Sequence, residues 1–220
     1  MTRFFQASEP QPGDDEPDEA TLAKRSRRRR ARSFTIRTLI VLIVAGVVAV
    51  LLRLFVVQPY YIPSESMEPT LHGCSGCSDD HVLVDKISYR FQDVKAGDVV
   101  VFHKPPNADV PDKVLVKRVL ALAGDKVQLR RNAKGAWDGK VYVNGLPLDE
   151  SYIDKDCPAP VTVPLTSTTS WTIPKGDVFV MGDNRCQSED SRAFGPIKTS
   201  SIIGKAVLKI WPLSRFGRVK

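Results

Sequence analysis

Two serines, Ser64 and Ser66, sit inside Pro63-Ser64-Glu65-Ser66-Met67-Glu68-Pro69-Thr70-Leu71. The prolines fix φ and restrict the residues before them, which stiffens the stretch. Its plainest reading is a turn. A hydroxyl held still beside a base is also what nucleophilic catalysis needs. Histidine is the usual base, and the chain has three: His72, His81 and His103. It has no Gly-x-Ser-x-Gly elbow, and a histidine triad stays open. The other candidate is Lys117, set in Val114-Leu115-Val116-Lys117-Arg118-Val119-Leu120. An ordinary lysine, with a pKa of about 10.4, is almost wholly protonated near neutral pH. Lowering that value by about 3 units takes ~4 kcal/mol, which burial can supply. In an alternating strand Lys117 shares an apolar face with Leu115 and Val119, and Arg118 points the other way. An edge-strand lysine reaching water is the alternative that the pattern leaves open.

Two further clusters carry chemically useful side chains. His72-x-Cys74-x-x-Cys77-x-x-x-His81 puts four zinc-type ligands within ten residues. A small Cys74–Cys77 disulfide is the simpler account in an oxidising compartment, with zinc and a redox or free thiol as alternatives. All four cysteines, Cys74, Cys77, Cys157 and Cys186, follow the one long apolar run, and three pairings are open. Met181 to Arg192 crowds small polar and charged residues after an apolar strand. It reads as a solvated loop with Asx turns, or as the support that holds a catalytic lysine.

The elements around these residues suggest where they work. Residues 1–33 hold eight Lys/Arg and six Asp/Glu, only +2 of the net +7. The rest is scattered without a basic helix or an aromatic-basic comb, which argues for a membrane and against nucleic acid. The first 23 residues, rich in Pro, Gly, Asp and Glu, read as a disordered tail. The block Lys24 to Arg32 then precedes Thr38–Leu52, fifteen residues without a charge. Residues 38–57 reach the ~20 needed to span a bilayer if Arg53 snorkels, and basic residues before the run place the N-terminus inside. A cleaved signal peptide is the rival, but the charged region ahead is too long for one. The expected layout is a cytoplasmic basic tail over 1–33, a transmembrane helix over 34–57 and an extracytoplasmic domain over 58–220. Tyr60, Tyr61, Trp171 and Trp211 are candidates for the membrane interface.

The outer portion reads as β. Strands are expected at 81–86, 99–102, 114–116, 119–120, 141–143, 178–181 and 202–211, with Asn144-Gly145 as a hairpin turn. Ala-Gly-Asp or Lys-Gly-Asp turns lie at 96–98, 123–125 and 175–177. The more polar stretch from about 126 to 175 reads as an inserted subdomain. No long amphipathic helix is expected after residue 58.

Residues 61–71, 97–102, 114–125 and 181–196, in this order and behind an anchor, resemble the conserved boxes of the bacterial type I signal peptidases, membrane-anchored Ser/Lys proteases. The resemblance implies Ser66 as nucleophile and Lys117 as general base. It implies that Ser64, with the Ser66 amide, forms the oxyanion hole, and that Ser188 orients the lysine. Asp183, Asp190 and Arg192 would hold the site together. The implied fold is mostly β, a signal-peptidase/LexA-like core with a smaller β subdomain, preceded by a single transmembrane helix. The implied partners are signal peptides of secreted preproteins, membrane lipid and the neighbouring export machinery, with no metal or other cofactor. The chain departs from the family at Ala121-Leu122-Ala123-Gly124-Asp125 and at Cys186-Gln187. A Cys157–Cys186 disulfide would tie the insertion to the core. A self-cleaving protease of the LexA type and a tethered binding factor without catalysis are the competing readings.

Overall fold

The computed structural model describes residues 34–50, 57–73, 76, 78–153 and 164–219. The tail over 1–33, the end of the expected anchor at 51–56, and Cys74, Cys77 and Cys157 lie outside the described residues. Residues 34–50 form one helix, α1, whose apolar side chains from Leu39 to Val50 are exposed. Among the described residues no helix is long and apolar enough to cross a membrane.

The unit after residue 50 is built on strands. In chain order they are β1 (Val57–Tyr61), β2 (His81–Asp85), β3 (Val99–His103), β4 (Val114–Ala121), β5 (Lys126–Arg131), β6 (Trp137–Val143), β7 (Leu146–Pro147), β8 (Ser170–Thr172), β9 (Asp177–Met181), β10 (Ile197–Lys198), β11 (Ile202–Trp211) and β12 (Gly217–Arg218). Among the described residues of this unit helix is confined to two single turns, α2 (Ser88–Phe91) and α3 (Ser191–Phe194), and three short 3-10 segments. The larger sheet runs β1-β2-β11-β3-β4-β9-β10, with β12 on β11, and a second sheet runs β7-β6-β5-β8. All of these pairings are antiparallel.

Period-two alternation decides which side chains form the core. On β2, Val82 and Val84 are buried and their neighbours are partly exposed. β3 is covered on both faces, so Val99 through Phe102 are all buried. Val99 and Val101 join Ile62, Met67 and Leu71 in one cluster. Val100 and Phe102 join Leu115, Val119, Val180 and Phe194 in another. The Lys-Arg pair does not interrupt β4, which runs continuously through both residues. The polar stretch after it forms the second sheet, whose inner face packs Val127, Leu129 and Val141 against Phe179 and Met181.

The Asn144-Gly145 turn joins β6 to β7 with φ of 52° and 86°. Positive φ at both positions is what a tight hairpin of this twist requires. Trp171 packs on Phe179, ring centroids 5.1 Å apart, at the edge of the second sheet's core.

Candidate active site

Ser66 lies in the 3-10 turn Glu65–Met67, entered from extended Ser64 at φ −128° and ψ 149°. Two fully buried side chains, Met67 and Leu71, pin the turn on its C-terminal side, and the Leu71 amide donates to the Met67 carbonyl at 2.9 Å. The Asn184 amide donates to the Ser66 carbonyl at 3.1 Å, so the loop after β9 holds the turn from the other side. The Ser66 amide itself stands in the first turn of a short helix, where N–H groups have no partner inside the helix. The Ser64 and Ser66 hydroxyls are 3.2 Å apart.

β4 delivers Lys117 to this turn. Its Cα is paired with that of Val100 on β3, and its face neighbours Leu115 and Val119 are core residues. The side chain is 3 % exposed. Its ammonium donates to Ser66 Oγ at 2.6 Å; when Nζ loses its proton the same contact reverses and the hydroxyl donates. Among the described residues no carboxylate lies within ion-pair distance of Nζ. Burial pushes the Lys117 ammonium down to about 8; the more distant Asp190 opposes that shift and Arg192 adds to it. Loss of solvation penalises the charged form, and no nearby anion cancels the penalty.

The surrounding charges, by contrast, are paired. Arg192 meets Asp190 with Nε to Oδ1 at 2.8 Å and Nη2 to Oδ2 at 2.9 Å, a two-point fork with both residues buried. Burial alone would raise the Asp190 carboxyl, but Arg192 outweighs it and holds the group below the usual carboxylate range. Asp190 also accepts from the Gly182 amide and from the Ser188 hydroxyl, at 3.1 and 2.9 Å. Ser188 thus gives its proton to Asp190 and keeps its lone pairs for another donor. Arg118, on the opposite face from Lys117, forks Asp183 at 2.8 and 2.6 Å, and Thr70 Oγ1 donates to the same carboxylate at 2.5 Å.

A single family profile, described as signal peptidase, peptidase S26, matches residues 35–211. The chain belongs to that family. Signal peptidase I of Mycobacterium tuberculosis is 40% identical, over 95% of this chain and 84% of its own length. Signal peptidase IB of Staphylococcus aureus is 37% identical, over 79% of this chain and 87% of its own. A solved signal peptidase I from Enterococcus faecalis shares 32% identity over 52% of this chain and 97% of that one, with a TM-score of 0.41.

Within this signal peptidase family member the histidines stand apart from the serine. His72 faces Glu68 at 3.2 Å, and His81 packs edge-on against Tyr61 at 5.6 Å. His103 is an exposed strand end. Among the described residues no group of three or more His, Cys, Asp or Glu could hold a metal ion. Cys186 carries a disulfide.

Sequence reasoning missed two glycines that shape the site. A Cβ on Gly182 would meet Ser188 Oγ at 2.2 Å and the Ser66 carbonyl at 2.4 Å. A Cβ on Gly73 would meet the carbonyls of Ser64 and Ile62 at 2.5 and 2.6 Å. Each lets a backbone lie directly against the serine turn. Nothing in the pattern around them marks them off from ordinary turn glycines.

Proposed function

We propose that this protein is a membrane-anchored serine endopeptidase that removes N-terminal signal peptides from exported preproteins through a Ser66/Lys117 dyad. Its membership of the signal peptidase family carries the substrate class. The 2.6 Å contact between a buried, carboxylate-free Lys117 Nζ and Ser66 Oγ carries the mechanism. Ser66 Oγ attacks the scissile carbonyl as neutral Lys117 takes its proton. The tetrahedral oxyanion is met by the Ser66 amide and the Ser64 hydroxyl, each such donor contributing about 3 kcal/mol to the transition state. Lys117, now an ammonium, protonates the leaving amine, and water activated by the same amine cleaves the acyl-enzyme. Ser188, expected to orient the lysine, instead donates to Asp190, while the hydrogen bond of Lys117 Nζ goes to Ser66 Oγ. Ser188 acts on the lysine through Asp190, and the Asp190–Arg192 and Asp183–Arg118 pairs fix the surrounding loop and strand.

The substrate has a place to lie. A cleft of about 310 Å³ runs between Tyr60–Met67 and Asp112–Lys117, with the dyad in its wall. β9 pairs with β4 only from Arg118 onward, so among the described residues Val114–Lys117 has a free edge on that side. An extended signal-peptide segment adding to this edge would gain backbone hydrogen bonds and present alternate side chains to the cleft. Ile62 is among the residues that line it.

The proposed layout is a cytoplasmic tail over 1–33, an anchor over 34–57 and an extracytoplasmic catalytic domain over 58–220 into which about 126–175 is inserted. Tyr61 and Trp211, both about half exposed, face the lipid surface near the export machinery in this arrangement. Cys157 is the proposed partner of Cys186, with Cys74–Cys77 as the second bridge. Cleavage of a purified preprotein carrying an Ala-x-Ala site tests the reading. Ser66→Ala and Lys117→Met should abolish cutting, and a chelator should leave the wild type active. Either variant cutting at the wild-type rate would remove the dyad.

A further inference from the structure

The cleft beside the dyad contains a carboxylate that neither the fold nor the proposed chemistry uses. Asp112 lines it with Lys113, Tyr60 and Tyr61, and is half-buried. The buried acids each have a cation: Asp80 has Arg215, Asp98 has Lys205, and Asp183 and Asp190 have their arginines, as half-buried Glu150 has Arg185. Among the described residues Asp112 has neither an ion-pair partner nor a hydrogen bond. A negative charge in a cleft with low-dielectric walls acts on whatever enters it.

Its position gives the charge a target. Both walls of the cleft, Tyr60–Ser66 and Asp112–Lys117, approach the dyad from their N-terminal ends. Asp112 therefore lies toward the end of the cleft away from Ser66, beyond the free edge of β4. A peptide extended along that edge has its scissile bond at Ser66 and a side chain several residues away beside Asp112.

We propose that Asp112 is a specificity-determining residue that favours a Lys or Arg side chain, and disfavours an acidic one, several residues from the scissile bond. This rests on the Ser66/Lys117 reading of the cleft. The adjacent Lys113 is exposed and of opposite sign, so the preference belongs to one substrate position and is not a general attraction for cationic peptides.

The charge of Asp112 also acts on Lys117, so a change in rate alone would be ambiguous. A ratio between two substrates cancels that effect. The full chain in detergent micelles is assayed on matched preprotein-derived peptides with an Ala-x-Ala site. Each peptide carries a single Lys or Glu at one of the positions from three to eight residues on either side of the cut. In the wild type, Lys should exceed Glu in kcat/KM by about five-fold at one or two adjacent positions on one side, the upper range for a solvent-accessible ion pair. The ratio should persist in Asp112→Glu, fall to about one in Asp112→Asn and invert in Asp112→Lys. Variants that cleave but leave the ratio unchanged at every position overturn the proposal and spare the dyad. Cleavage that survives Ser66→Ala overturns the dyad reading and this proposal with it.

Discussion

Lys117 and Arg118 are neighbours on one strand, each only 3 % exposed. Strand geometry sends them to opposite faces, and those faces treat them differently. Arg118 receives both oxygens of Asp183, the Gly97 carbonyl at 3.0 Å and the Tyr152 ring at 4.2 Å. Lys117 receives one hydroxyl. Both cations lose water, but only one is given an anion in exchange. The paired guanidinium is a fixed structural charge, and the unpaired amine titrates near the pH at which it has to accept a proton. Burial alone does not make a base; burial without a counter-charge does.

That contrast can be broken at either residue. The largest effect is expected for Lys117→Arg, which keeps a cation but cannot give up its proton. Its kcat/KM on a preprotein should fall by at least about 10⁴-fold, as for loss of a catalytic base; activity within tenfold of wild type would mean that position 117 supplies charge and not basicity. Next, Asp183→Asn strands the buried Arg118 guanidinium, and denaturant unfolding should show a loss of about 3–5 kcal/mol. A loss below about 1 kcal/mol would mean the Arg118 pair contributes no more than an exposed one.

A subtler effect has the opposite sign. The pKa of Lys117 is lower folded than unfolded, so the unfolded chain binds more protons between about 8 and 10.5. Lys117→Met should therefore be more stable than wild type, by up to about 3 kcal/mol below pH 8. The gain should shrink as pH rises and vanish above about 10.5. A gap that does not depend on pH would remove the burial argument. Smallest is Arg118→Lys, which loses the two-point fork but keeps the charge and should cost about 1.5 kcal/mol.

The parts of the molecule legible in the sequence were those set by short-range pattern. Val82 and Val84 lie in a short apolar run bounded by His81 and Asp85, Asn144-Gly145 dictates its turn, and the apolar residues flanking Lys117 predict the face it takes. The second sheet was legible only at Val141–Val143 and the turn after it, because β5 and the start of β6 mix Lys, Arg, Gln and Asp with their apolar residues, so no clean run marks them as strands. β1 was hidden by Pro59 and by its closeness to the apolar segment. The contact between Ser66 and Lys117 spans 51 residues and depends on strand order, which spacing along the chain does not encode. Gly73 and Gly182 were missed because their role lies in what passes over them, and only the packed structure brings those backbones near.

The central claim is that burial without a counter-charge brings the Lys117 amine down from the ordinary lysine value to about 8. Titration of the Lys117 side chain by NMR answers it directly, using protein labelled at the lysine ε-carbon in detergent micelles and the Lys117→Met variant for assignment. The account predicts a midpoint at about 8. A midpoint at or above about 10, the value of an ordinary exposed lysine, would contradict it.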